Sequence, residues 1–271
     1  MNVFAQIREP GPLPVGGRGG PPLVLAVHGS AAPAAVRTVD RLCSRLAALT
    51  GSQPLVGHLD VQRPSLGELL GRLAGYAGAG AGAGAGAESG ARAEAVVVPL
   101  LLGDGFHRAV DVPAVVAAAT GVRAVVTPGL SGAAESVGLA LYGRLRETEE
   151  RAGGPADAVV VAAAGSTRLG GNDGALAAAD RLAHLLGGTV PVRTAYCSAA
   201  RPTVPQAVAD LRTAGHRRIA VAAHLLAPGR FTAALPASGA WAVTAPLADH
   251  PLIARAVLRR YAAGLRELTL S

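Results

Sequence analysis

Lysine is missing from this chain: all 25 of its basic residues are arginine. Aromatic residues are scarce too, at 3%, and there are only two Cys and one Met. Each shortage excludes something. With few aromatics and scattered arginines there is no stacking platform or basic stripe, so no nucleic-acid partner is expected. Cys43 and Cys197 stand too far apart in sequence to make a metal-type pair. Cys43 falls in an apolar helical stretch and reads as a small core residue. No apolar run has the length and freedom from Gly, Pro and charge that a membrane helix needs, so no membrane partner is expected. The opening MNVFAQIREPGPLPVGGRGG lacks the apolar h-region of a secretory signal, and the expectation is a cytoplasmic protein with reduced thiols.

What is present is small and apolar. Half of the 271 residues are hydrophobic, and Ala, Val and Leu must supply the core. Such a core suits helices packed closely on parallel strands. The net charge of +7 favours an acidic partner, a polycarboxylate or a phosphate.

After a Gly- and Pro-rich tail (1–21), strand and helix patterns alternate. Strands are read at 23–30, 54–61, 93–102 and 122–128, and helices at 33–49, 65–76, 112–120 and 133–150. The order then repeats. AVVVAAAGS (158–166) matches LVLAVHGS (23–30), and VRTAYCSAARPTVPQ matches LVGHLDVQRPSLGEL with Pro202 on Pro64. RIAVAAHLLAPGRF matches AVVVPLLLGDGF with Phe231 on Phe106. A period this long is a duplicated domain. The expected fold class is α/β: two similar domains, 22–152 and 153–271, each a parallel four-stranded sheet flanked by helices, with the active cleft between them. The Gly/Ala-alternating stretch at 76–95 is read as a flexible surface insertion.

In open α/β sheets, ligands bind beyond the carboxyl ends of the strands. That rule selects His28 after the first strand, Asp60 after the second and His107 after the third. Imidazole and carboxylate together suit Fe, Co, Ni or Zn. His58, two residues before Asp60, shares its strand face and is a possible third ligand. His224 reads as a core or strand-end residue, His184 and His216 as surface positions. His250 reads as structural, with Asp249 as the N-cap of a final helix. Arg63, Arg108, Arg168, Arg201 and Arg230 gather in loops after strands.

Taken in order, LVLAVHGS, HLDVQRPSL and VVVPLLLGDGFHRAVDVP resemble the sirohydrochlorin chelatase family, in its long two-domain form, over residues 22 to 268. The family pattern is a strand-end HGS, an acidic residue a few positions before Pro-Ser, then PLLL followed by a loop His and D-[IV]-P. The resemblance implies a chelatase-like fold and insertion of a divalent metal, Co²⁺ or Fe²⁺ with Ni²⁺ behind them, into sirohydrochlorin, for sirohaem or cobalamin synthesis. It implies His28 and His107 at the metal and Asp60 beside them as a catalytic residue, in a place where the family usually has Glu. No organic cofactor is implied. Sirohydrochlorin carries eight carboxylates, and Ser30, Arg108, Ser166 and Arg230 are the expected substrate contacts. Ala164 and Thr232 stand where the first half has His28 and His107, so the second half keeps the fold without the ligands. Internal duplication makes a monomer sufficient. A non-catalytic metal or tetrapyrrole carrier on the same fold is the alternative.

Overall fold

A computed structural model describes residues 20–30, 32–80, 93–103 and 111–270. The first half runs β1 (Leu23–Val27), α1 (Pro33–Thr50), β2 (Leu55–His58), α2 (Leu66–Gly80), β3 (Ala93–Pro99), α3 (Val112–Ala118), β4 (Val122–Val126) and α4 (Ala134–Arg151). The second runs β5 (Ala158–Ala163), α5 (Asp173–Leu185), β6 (Val192–Tyr196), α6 (Val204–Thr213), β7 (Ile219–His224), α7 (Arg230–Ala234), β8 (Ala242–Val243) and α8 (Pro251–Leu270).

Both sheets are parallel and four-stranded, in the orders β2-β1-β3-β4 and β6-β5-β7-β8. The central strands LVLAV and AVVVAA are buried along their whole length. Continuous burial on both faces is what a parallel sheet between helices demands. Local chemistry sets the element ends. Pro33 opens α1, where its fixed φ suits the first turn, and Gly51 closes it at φ 72. Thr203 opens α6 with a capping box to Gln206.

The packing departs from two self-contained domains. Helix α8 lies on β3 and β4 of the first sheet, while α4 lies on β7 and β8 of the second. Each half lends its last helix to the other. Gly264 permits the α8 crossing, since a Cβ there would overlap the Val96 side chain. The inward faces of both sheets, Leu25 and Val96 on one and Val159 and Ala222 on the other, join one core with α1, α4, α5 and α8. The outer faces pack on α2 and α6 in smaller cores. The expected boundary at residue 153 marks the sequence repeat but cuts α4 from the sheet it covers.

The Gly/Ala segment also differs from expectation at its edges. Helix α2 continues to Gly80 and β3 starts at Ala93, so both ends of 76–95 belong to regular elements. Residues 81–92 lie outside the described residues. Among the described residues no helix is long and apolar enough to cross a membrane.

Candidate active site

The duplication holds at the level of single hydrogen bonds. Asp60 N–H donates to His28 O at 3.0 Å, and Ser198 N–H donates to Ala164 O at 2.9 Å. Gly29 and Gly165 follow with φ of 96 and 93. Val61 and Ala199 both take φ 60, and cis Arg63–Pro64 and Arg201–Pro202 bonds come next. Ala164 is therefore the structural counterpart of His28. The third strands need a correction of one residue. Ala26 pairs with Pro99 and Ala162 with Ala223, so Pro99 corresponds to Ala223, and His224 lies one place further along. Sequence matching anchored on Phe106 and Phe231 slipped because loop composition, not strand register, set the alignment.

The two turns face each other across a cleft of about 990 Å³. One wall carries His28, Ser30, Val36, Asp40, His58, Gln62 and Arg63; the other carries Ser166, Asn172, Arg230 and Thr232. His28 is exposed at the end of β1. Ser30 N–H donates to Gln62 Oε1 at 2.8 Å, which ties the first turn to the second. Opposite, Asn172 Nδ2 donates to Ser166 O at 2.9 Å. Arg230 stacks its guanidinium over Phe231, 5.1 Å from the ring centre, and keeps its charge at the cleft mouth.

His58 ends β2 and lines the cleft with its ring held, Nδ1 being 3.0 Å from Pro64 O. His224 is 4% exposed at the cleft floor, and burial pushes its pKa down to about 4, so it stays neutral.

Asp60 is placed differently from expectation. It is exposed, does not line the cleft, and its Oδ1 accepts from Val61 N–H at 2.8 Å. Asp60 lines instead a small depression beside the cleft, together with His58, Gln62 and Arg63. Asp249 likewise is no simple cap: it pairs with Arg41 and Arg144, and it is the His250 ring, through Nδ1, that accepts from Leu252 N–H at 3.2 Å. Arg168 and Arg201 stand outside the cleft lining, Arg201 reaching Gln206 at 3.2 Å. His184 is exposed, and His216 lies 3.7 Å from Asp157. His107 and Arg108 lie outside the described residues, and among the described residues no three His, Cys, Asp or Glu side chains converge as a metal cage.

Sequence reasoning missed Asp40, Gln62 and Asn172. Asp40 gave no signal, because it is one of several polar residues on the exposed side of α1.

A family model, CbiX, matches residues 22–148 and 158–263. The chain belongs to the CbiX family. The gap between the two CbiX matches falls on the link from α4 to β5. Solved structures share the architecture. SirB from Bacillus subtilis with Fe³⁺ is 20% identical, with a TM-score of 0.67 over 92% of this chain and 98% of that one. The sirohydrochlorin chelatase SirB from Bacillus subtilis subspecies spizizenii, in complex with cobalt, is 20% identical, with a TM-score of 0.66 over 92% and 97%. A CbiX described as the terminal enzyme of sirohaem biosynthesis in denitrifying bacteria is 19% identical, with a TM-score of 0.63 over 89% and 98%. No curated protein matches the sequence.

Proposed function

We propose that this CbiX-family protein inserts a divalent metal, Co²⁺ or Fe²⁺, into sirohydrochlorin. The observation that carries the reading is the asymmetric cleft: the first half's wall carries His28 and His58 beside Ser30, Gln62 and Arg63, whereas the second half's wall carries Ser166, Asn172, Thr232 and Arg230, its one histidine, His224, being buried. One wall suits a metal of intermediate hardness, the other the carboxylates of an acidic macrocycle. The volume is that of a small-molecule site. The relatives' own descriptions, a sirohydrochlorin chelatase with cobalt and a SirB with Fe³⁺, support the same chemistry.

In this reading His28, with His107, receives the metal through neutral imidazole nitrogens. Arg230 and Ser166 hold the substrate's carboxylates, with Ser30 and Arg108 completing the contacts. Macrocycle nitrogens then replace protein ligands, and two pyrrole N–H protons leave to neutral imidazole or, at the edge of the site, to Asp60.

Anaerobic mixing of the purified protein with sirohydrochlorin and Co²⁺ or Fe²⁺, followed by absorbance, tests the proposal. Metallation faster than without protein supports it. Metal binding with no acceleration would make the protein a carrier instead.

A further inference from the structure

His58 is more than a strand-end residue. Its Nδ1 lies 3.0 Å from the carbonyl oxygen of Pro64, and a carbonyl can only accept, so Nδ1 carries the proton. The neutral ring then has its lone pair on Nε2. One ring nitrogen fixed by a backbone carbonyl and the other left as a donor is the arrangement that orients metal-bound histidines.

The ring bond is not needed to hold the loop. In both halves a backbone bond already does that: His58 N–H donates to Pro64 O at 3.0 Å, and Tyr196 N–H donates to Pro202 O at 2.9 Å. Tyr196 occupies the position of His58 in the second half, is 7% exposed, and does not line the cleft. The added bond in the first half therefore aims the imidazole. His58 lies beside Val27 in the β1–β2 register, one residue before His28, and both histidines line the same wall. Asp60, meanwhile, has its carboxylate turned onto Val61 N–H.

We propose that His58 Nε2 is a ligand of the incoming divalent metal, sharing it with His28. This rests on the metal-insertion reading for the identity of the cleft, and it adds a donor on β2. The imidazole-rich set favours Co²⁺ and Fe²⁺ over Mg²⁺ and Ca²⁺, which take oxygen.

The test uses the intact protein and Co²⁺ alone. His58→Asn keeps an N–H donor near the Nδ1 position and removes Nε2. We expect its Co²⁺ affinity to fall about tenfold or more, the visible Co²⁺ spectrum to change, and the melting temperature to hold. Wild-type affinity and spectrum in His58→Asn would overturn the proposal. Should that variant fail to fold, nitrogen NMR of the wild-type histidines under Zn²⁺ titration decides: an Nδ1–H ring whose Nε2 signal shifts on binding supports it, and an unmoved signal overturns it. Adding sirohydrochlorin separates the two readings. Loss of Co²⁺ binding in His58→Asn, beside a wild type that never metallates sirohydrochlorin, overturns the function and keeps the ligand. A His58→Asn protein that binds and inserts metal normally overturns the ligand alone.

Discussion

Gly29 and Asp60 meet backbone to backbone, and a Cβ on Gly29 would overlap the Asp60 carbonyl oxygen. Gly29 also has φ 96, where a side chain is strained in any case. Gly29→Ala is therefore expected to destabilise the protein by well over about 1 kcal/mol and to displace His28. Gly51→Ala is the control. It too has positive φ, but nothing lies within 4 Å of its Cβ, so it carries the conformational penalty alone. Urea unfolding of the two variants measures the difference.

The reach of the sequence follows from such contacts. HGS and the later AGS were legible because a strand-ending turn that approaches another backbone requires Gly at one position in each copy. Alternating strands and helices were legible because β1 and β5 are apolar throughout. The exchange of α4 and α8 was not, since hydrophobic periodicity says that a helix is buried, not against which sheet. The turn after Asp60 was not, because it runs through a left-handed Val61, a conformation that a β-branched residue gives no sign of adopting. Gln62 escaped notice because its task, accepting from Ser30 N–H, exists only once both turns are in place.

The exchange of final helices implies that neither half stands alone. Separately expressed residues 20–152 and 153–271 are expected to show no cooperative unfolding, because each lacks one of the helices that pack on its sheet. A well-folded isolated half, seen by circular dichroism melting, would contradict the shared core.

Glu149 holds the link between the halves. It is 3% exposed, and its Oε1 accepts from Ala156 N–H at 2.8 Å while Arg146 lies 2.6 Å from Oε2. Glu149→Ala leaves that buried N–H unpaired and is expected to remove about 1–3 kcal/mol, read from urea midpoints.

Two buried histidines set an acid limit. Burial lowers the pKa of His224 to about 4; burial, then Arg144, lowers that of His250 to about 4. Unfolding returns both to about 6.5, so below that pH the unfolded chain binds more protons than the folded one. Their stabilising contribution is complete above pH 6.5 and is lost as pH falls toward 4, with a slope of up to about 1.4 kcal/mol per pH unit for each. Urea titrations between pH 7.5 and 5 should show this fall, and His250→Gln should flatten it.

Arg230 belongs to binding rather than to chemistry in this account. Arg230→Ala is expected to raise KM for sirohydrochlorin by about threefold to tenfold and to leave kcat within about twofold. A loss confined to kcat would place the guanidinium at the reacting centre instead.

The central claim is that the first half's wall delivers the metal. The most direct measurement is the anaerobic rate of Co²⁺ insertion into sirohydrochlorin by wild type and by His28→Ala, with the fold of each checked by melting. Clear acceleration by wild type is expected, with a loss of about a hundredfold or more in a folded His28→Ala. A His28→Ala protein that inserts cobalt at the wild-type rate, or a wild type no faster than buffer, would contradict it.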